Sequence, residues 1–156
     1  MTLFDVFLWL NDTAIGVVVR DSLWLFPVIQ VVHLLALAAL GGAVLAVDLR
    51  VLGIALRGVP VETLAADLSR VMTGSLIVIT VSGIGMFLSE ALRMYDNAAF
   101  WVKLAAFGVA VVFTYAVRPR WLTDVAARRG AARVVAAVSI GLWTLVAAAG
   151  RGIGFW

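Results

Sequence analysis

The chain has 156 residues, 64% of them hydrophobic and 13% charged, with a formal net charge of +3 and no cysteine. Soluble domains are about 45–50% apolar and about 25% charged, and at about 150 residues they still leave roughly a third of the unfolded-chain surface exposed. That excludes a soluble globule, and with it a disordered tail and a disulfide-stapled module; lipid must act as part of the solvent.

The first element is ambiguous by hydropathy alone. Leu3 to Val19 is apolar, but Asn11, Asp12 and Thr13 interrupt it, and a mid-membrane aspartate costs about 2.5–3.5 kcal/mol. Residues 1–21 therefore read as an interfacial segment: a short helical piece capped by Thr2 and Asp5, a break at Asn11 to Thr13, then a short turn to Arg20. With no basic leader and with Asp5 inside it, the segment is not a signal peptide.

Four runs follow that are long enough to cross a hydrocarbon core, which takes about 20 helical residues. They are placed at 22–48, 71–92, 99–117 and 132–150. The first is interrupted only by Pro27, Gln30 and His33. The second carries Thr73, Ser75, Thr80, Ser82 and Ser89, whose hydroxyls can bond back to their own helix. The third stops ahead of Pro119. The fourth is rich in alanine and valine. The predicted fold is all-α: one integral-membrane domain, 1–156, built as an antiparallel four-helix bundle with the interfacial N-terminal segment beside it.

Eleven of the twelve basic residues are arginines, and they fall between the apolar runs, so they read as topology signals and imply no nucleic-acid partner. The connections after the first and third spans hold Arg50, Arg57, Arg70, Arg118, Arg120, Arg128, Arg129 and Arg133; the other side has Arg20, Arg93, Lys103 and Arg151. This bias puts both connections in the cytoplasm and both termini outside. Trp9, Trp24, Trp101, Trp121 and Trp156 fall near span boundaries, as in aromatic belts, and Trp143 lies mid-span. Small residues at spacing four offer packing faces: Ala38, Gly42 and Ala46, then Gly85 and Ser89, Ala106 and Ala110, and Ala137 and Gly141. Those faces fit a bundle, a homo-oligomer or a larger membrane complex equally.

Two polar groups stand out. His33, the sole histidine, lies near mid-membrane with Gln30 and Asp48 each about 60° from it around the helix, so this face must turn inward or toward a partner. On the second span Met72, Ile79, Gly83, Met86 and Glu90 align within about 40°. His33 reads either as a metal or haem ligand or a proton relay, with Gln30, Met72 and Met86 beside it, or as a neutral imidazole bonded to Gln30 or a helix hydroxyl. At the outer mouth Glu90, Lys103 and Arg151 form a candidate charged cluster. On the inner side Asp48 is a candidate partner for Arg50, Arg70 or Arg118.

The chemistry these residues permit is narrow. One histidine excludes a bis-histidine haem within a single chain, so haem b would need a methionine partner, an open position or a second copy of His33. Copper would draw on His33 with Met72 or Met86, and zinc lacks ligands. No phosphate loop, nucleophile elbow or hydrolytic carboxylate pair is present, so no enzyme activity is expected.

Trp24-Leu-Phe-Pro27, His33, Gly41-Gly42, Asp48-Leu-Arg50-Val-Leu-Gly53, Asn97-Ala-Ala-Phe100-Trp-Val-Lys103-Leu and Gly150-Arg151 together resemble an uncharacterised family of small bacterial four-helix inner-membrane proteins, similar in layout to the copper-resistance CopD proteins. The resemblance covers nearly the whole chain and implies a bacterial inner-membrane protein with copper or haem handling. The functional expectation is a small binding or transport unit acting on a metal ion, haem or proton through the His33 face. The competing expectation is a non-catalytic accessory subunit of a larger complex.

Overall fold

Thr2 and Asp5 cap each other reciprocally: the Asp5 amide donates to the Thr2 hydroxyl at 3.2 Å, and the Thr2 amide donates to the Asp5 carboxylate at 2.7 Å. This box opens α1 (Leu3–Asn11) in the computed structural model, which describes residues 2–122, 125 and 128–155. The chain breaks at Asp12, and Thr13 caps α2 (Ala14–Asp21) by accepting from the Gly16 amide. The second piece is thus a full eight-residue helix and not the short turn expected.

The first long helix, α3 (Leu25–Leu52), starts where Ser22 accepts from the Leu25 amide, with Pro27 in the first turn, where its missing N–H costs nothing. It runs past Asp48 and ends at Gly53, whose φ of 78° makes the left-handed cap that only glycine adopts freely. At 28 residues it is about 42 Å long, well beyond the hydrocarbon thickness.

Pro60 precedes α4 (Val61–Ser89), which begins ten residues before the apolar run at 71 because Glu62, Asp67 and Arg70 continue the helix beyond the apolar stretch. It stops at Glu90, and a separate short helix, α5 (Ala91–Tyr95), follows. Asn97 then caps α6 (Ala98–Val112) by accepting from the Phe100 amide at 3.2 Å. The same helical rod continues through one wide π turn, Phe113–Val117, closed by the Arg118 amide on the Phe113 carbonyl at 2.9 Å. Pro119, which has no amide to donate, opens α7 (Pro119–Leu122). The last long helix is α8 (Arg129–Gly152). Among the described residues there is no strand. Four stretches, Leu25–Leu52, Val61–Ser89, Ala98–Val117 and Arg129–Phe155, are long and apolar enough to cross a membrane.

The bundle is antiparallel, and α3 is its centre: it packs broadly against α4 and α8, and α6 packs on α8. Between α4 and α6 there is no broad backbone contact. The mid-bundle core joins Ala36, Leu40, Ala43 and Val44 to Met72, Ile79, Ala106, Ala110, Trp143 and Val146. Trp143, buried at mid-span, donates its indole N–H to Thr114 at 3.1 Å, which satisfies the one polar atom it carries inward.

Helix association uses only part of the expected small-residue pattern. Ala106 and Ala110 are buried, whereas Ala38 and Gly42 on α3 and Ala137 and Gly141 on α8 face outward. The reason lies in α3's polar face. His33 and Asp48 must be buried, and Ala38, Gly42 and Ala46 sit about 140–220° around the helix from His33.

At the end of the bundle that carries α1 and α2, Phe7 is buried against Phe87 and Tyr95 in edge-to-face contacts. A Cβ at Gly16 would lie 2.5 Å from the Leu88 carbonyl oxygen, so α2 meets α4 backbone to backbone. The N-terminal segment is docked on the bundle. Trp9 and Trp24 are exposed; Trp156 lies outside the described residues.

Candidate ligand cavity and buried ion pair

α3 carries His33 inward at the level where α4 places Ser82 and Gly83. His33 Nδ1 lies 2.9 Å from Ser82 Oγ, and Ser82 itself donates to the Val78 carbonyl one turn back. A hydroxyl has one proton. With its proton on Val78, Ser82 accepts from His33 in the tautomer that carries the proton on Nδ1. In that tautomer Nε2 carries the lone pair, and the Ile79 backbone, one turn before Ser82, also hydrogen-bonds the ring. Gly83 leaves room for the ring, since a Cβ there would stand 3.4 Å from His33 Cε1. Sequence reasoning noted Ser82 only as a tolerable membrane hydroxyl; nothing in the spacing of residues 33 and 82 marks them as partners.

His33 lines a cavity of about 530 Å³ that reaches the end of the bundle carrying α1 and α2. This is within the range of about 300–1,000 Å³ typical of small-molecule sites. Its walls are apolar, with Phe26, Leu37, Ile79, Phe100, Phe107 and Val146 among them, and Gln30 and Met86 also line it. Met72 does not. It sits deeper in the core, with Sδ 4.0 Å from an Arg118 nitrogen, so of the residues named beside His33 only Gln30 and Met86 share its cavity.

The mouth is cationic. Arg93, Lys103 and Arg151 line it together with one carboxylate, Glu90. The expected triad of Glu90, Lys103 and Arg151 is not an ion-paired cluster: Glu90 pairs with Arg93 at 3.7 Å, and Arg151 lies over the Phe155 ring at 4.5 Å. Lys103 lies along Gly150, where a Cβ would be 3.7 Å from its Nζ, and it makes no ion pair among the described residues. Glu90 prefers Arg93 because both belong to one helical turn, at the break between α4 and α5.

A second polar site lies in the other half of the bundle. Asp48, fully buried on α3, pairs with Arg118, and Arg50 is not its partner. Arg50 instead donates to the Val59 carbonyl in the following loop. The π turn explains the reach of Arg118. In a regular α-helix each step of four residues overshoots by about 40°, so Arg118 would drift about 80° from Ala110. The wide turn takes up an extra residue and offsets that drift. Asp48 Oδ2 and Ser139 Oγ are buried side by side without a hydrogen bond of good geometry.

Comparison with known proteins places residues 6–156 in one family model, described as a family of unknown function, DUF6644. No curated protein and no solved structure matches the chain. Because the match spans all but the first five residues, the chain belongs to the DUF6644 family.

Proposed function

We propose that this multi-pass membrane protein binds haem b in the cavity, where His33 would hold the iron. The observation that carries the reading is the His33–Ser82 contact at the wall of an apolar cavity, which in the Nδ1-protonated tautomer leaves a ring-nitrogen lone pair for a metal. Metal-binding imidazoles are held in this way, the second ring N–H donating to a fixed acceptor. A bare ion bound by this chain needs several ligands, and among the described residues no three His, Cys, Asp or Glu side chains gather. A porphyrin brings its own four nitrogens and asks the protein for one or two axial groups. Lys103 and Arg151 at the mouth suit its carboxylates, and Met86 on the same cavity is a candidate second ligand. Bound there, haem would supply a one-electron centre.

Copper held by His33 and Met86 is the second reading, favoured by the soft thioether on the same cavity. The purified full-length chain, titrated with haemin and separately with Cu(I), tests both. A Soret band that His33→Ala abolishes supports haem; copper uptake that depends on His33 without a Soret band replaces it with copper. If neither ligand depends on His33, both readings fail.

The arginine bias supports both termini lying outside, and the sequence resemblance implies a bacterial inner-membrane setting. A role as accessory subunit in a homo-oligomer or larger complex draws support from the outward ridge of Ala38 and Gly42, with open space at Gly42. Purification in mild detergent tests it: a stoichiometric partner supports that role and a monomer rejects it.

A further inference from the structure

A second cavity, of about 320 Å³, lies at the opposite end of the bundle from the His33 site. Arg50 from the end of α3 and Arg129 and Arg133 from the start of α8 line it, together with Gly53, Pro60, Val61 and Glu62. Arg50 is committed through Nε to the Val59 carbonyl, which fixes its stem and leaves its terminal nitrogens. Arg129 and Arg133 make no ion pair among the described residues. Among the described residues three guanidinium groups and one carboxylate, Glu62, line it, and Glu62 sits in the first turn of its own helix.

The backbone around the cavity adds to this charge. Both α4 and α8 begin here, and among the described residues neither start has a side-chain cap. The first helix-closing bonds are Leu64 on Pro60 and Ala132 on Arg128, so the amides ahead of them have no partner within their helices. Two positive helix ends thus meet beside three arginines. The negative end of α3, which also arrives here, is closed off: the amides of Gly53, Ile54 and Ala55 take the Leu49 and Arg50 carbonyls. The apolar part of the lining is Val51, Val61 and Val125, and Val51 and Val61 pack with Ala132 and Ala136 in the core.

We propose that this cavity binds a phosphate group, either the headgroup phosphate of an anionic phospholipid or free phosphate. Guanidinium groups and unsatisfied helix-start amides are the donors phosphate oxygens need. The cavity lies where the apolar stretches of α3 and α8 give way to charge, at headgroup depth, and basic pockets between membrane helices recognise anionic lipid headgroups. The site is independent of His33.

The test uses the full-length chain and the double variant Arg129→Gln/Arg133→Gln, which changes only exposed side chains. Both are reconstituted in equimolar phosphatidylcholine and phosphatidylglycerol vesicles, and the lipid retained on extraction is counted by native mass spectrometry. In detergent, inorganic phosphate is titrated against thermal unfolding. The wild type should retain phosphatidylglycerol selectively, with a roughly 30-fold loss of affinity in the double variant, taking about fivefold per arginine at a charged surface. Arg57→Gln, at the same end but bonded to the Gly53 carbonyl, should change little. Phosphate stabilisation that needs both arginines, without lipid selection, assigns the site to free phosphate. If neither ligand distinguishes the double variant, or if Arg57→Gln loses as much, the proposal is overturned.

Discussion

Arg118 sets both Nε and a terminal nitrogen on the same oxygen of Asp48, at 3.0 and 2.7 Å, across 70 residues of sequence. Neither side chain reaches solvent to any extent, and Arg118 also reaches the Val44 carbonyl and the Met72 sulfur. Burying two charges costs several kcal/mol each, and their attraction offsets that only while both are present. Asp48→Ala should therefore destabilise the protein by about 3–5 kcal/mol, leaving the guanidinium buried and alone. The double variant Asp48→Leu/Arg118→Met should recover most of that loss. Thermal unfolding in one detergent reads both; a double variant no better than Asp48→Ala would show that the pair does more than neutralise itself.

The membrane spans were legible because hydropathy is a local property, and the reciprocal Thr2–Asp5 cap was legible because its partners are three residues apart. Helix starts were less so: α4 begins at Val61 because polar residues extend a helix beyond the apolar run, which hydropathy does not count. Asp48 had three candidate arginines, and spacing alone left the choice open. The choice of Arg118 rests on a π turn, set beside Pro119, which re-aims its side chain into the bundle. Ser82 as the partner of His33 depends on the vertical register of α3 against α4, which no single-helix periodicity contains.

Ser82, with its own proton on the Val78 carbonyl, favours the tautomer of His33 protonated on Nδ1. Ser82→Ala removes the acceptor while the ring keeps its place beside Gly83, so Nδ1 and Nε2 compete for the proton. Loss of such an outer hydrogen bond typically costs about 10–100-fold in metal affinity. Ser82→Ala should weaken haemin or copper binding by that factor with thermal stability changed by only about 1 kcal/mol. Ser82→Thr, which restores the hydroxyl, should restore binding. Unchanged affinity in Ser82→Ala would detach the serine from the site's chemistry.

The start of α1 should be sensitive to acid. Hydrogen bonds from the Thr2 backbone and, next, its side chain hold the Asp5 carboxyl below its ordinary range. A carboxyl depressed in the folded state stabilises above its unfolded value, and that contribution is lost as pH falls through the folded one. Amide resonances of Asp5 to Phe7, followed by NMR in micelles, should move toward a frayed position below about pH 4. In Asp5→Asn they should begin frayed and show no such transition. A wild-type segment unchanged through that range would mean that docking of Phe7, and not the cap, holds α1.

The orientation of the bundle decides which compartment each site serves. Arg118 is buried in an ion pair and so drops out of the loop charges that set topology, but Arg50, Arg57, Arg70, Arg120, Arg128, Arg129 and Arg133 remain at that end, against Arg20, Arg93, Lys103 and Arg151 at the other. Basic residues near span ends favour the cytoplasm. Alkaline phosphatase, active only outside, should be active when fused after Trp156 and silent when fused near Arg128. The His33 cavity would then open outward and the arginine-lined cavity would meet the cytoplasmic leaflet, where anionic headgroups raise the local demand for cations. The reverse activity pattern would exchange the two compartments, placing the phosphate site outside and the cavity mouth in the cytoplasm.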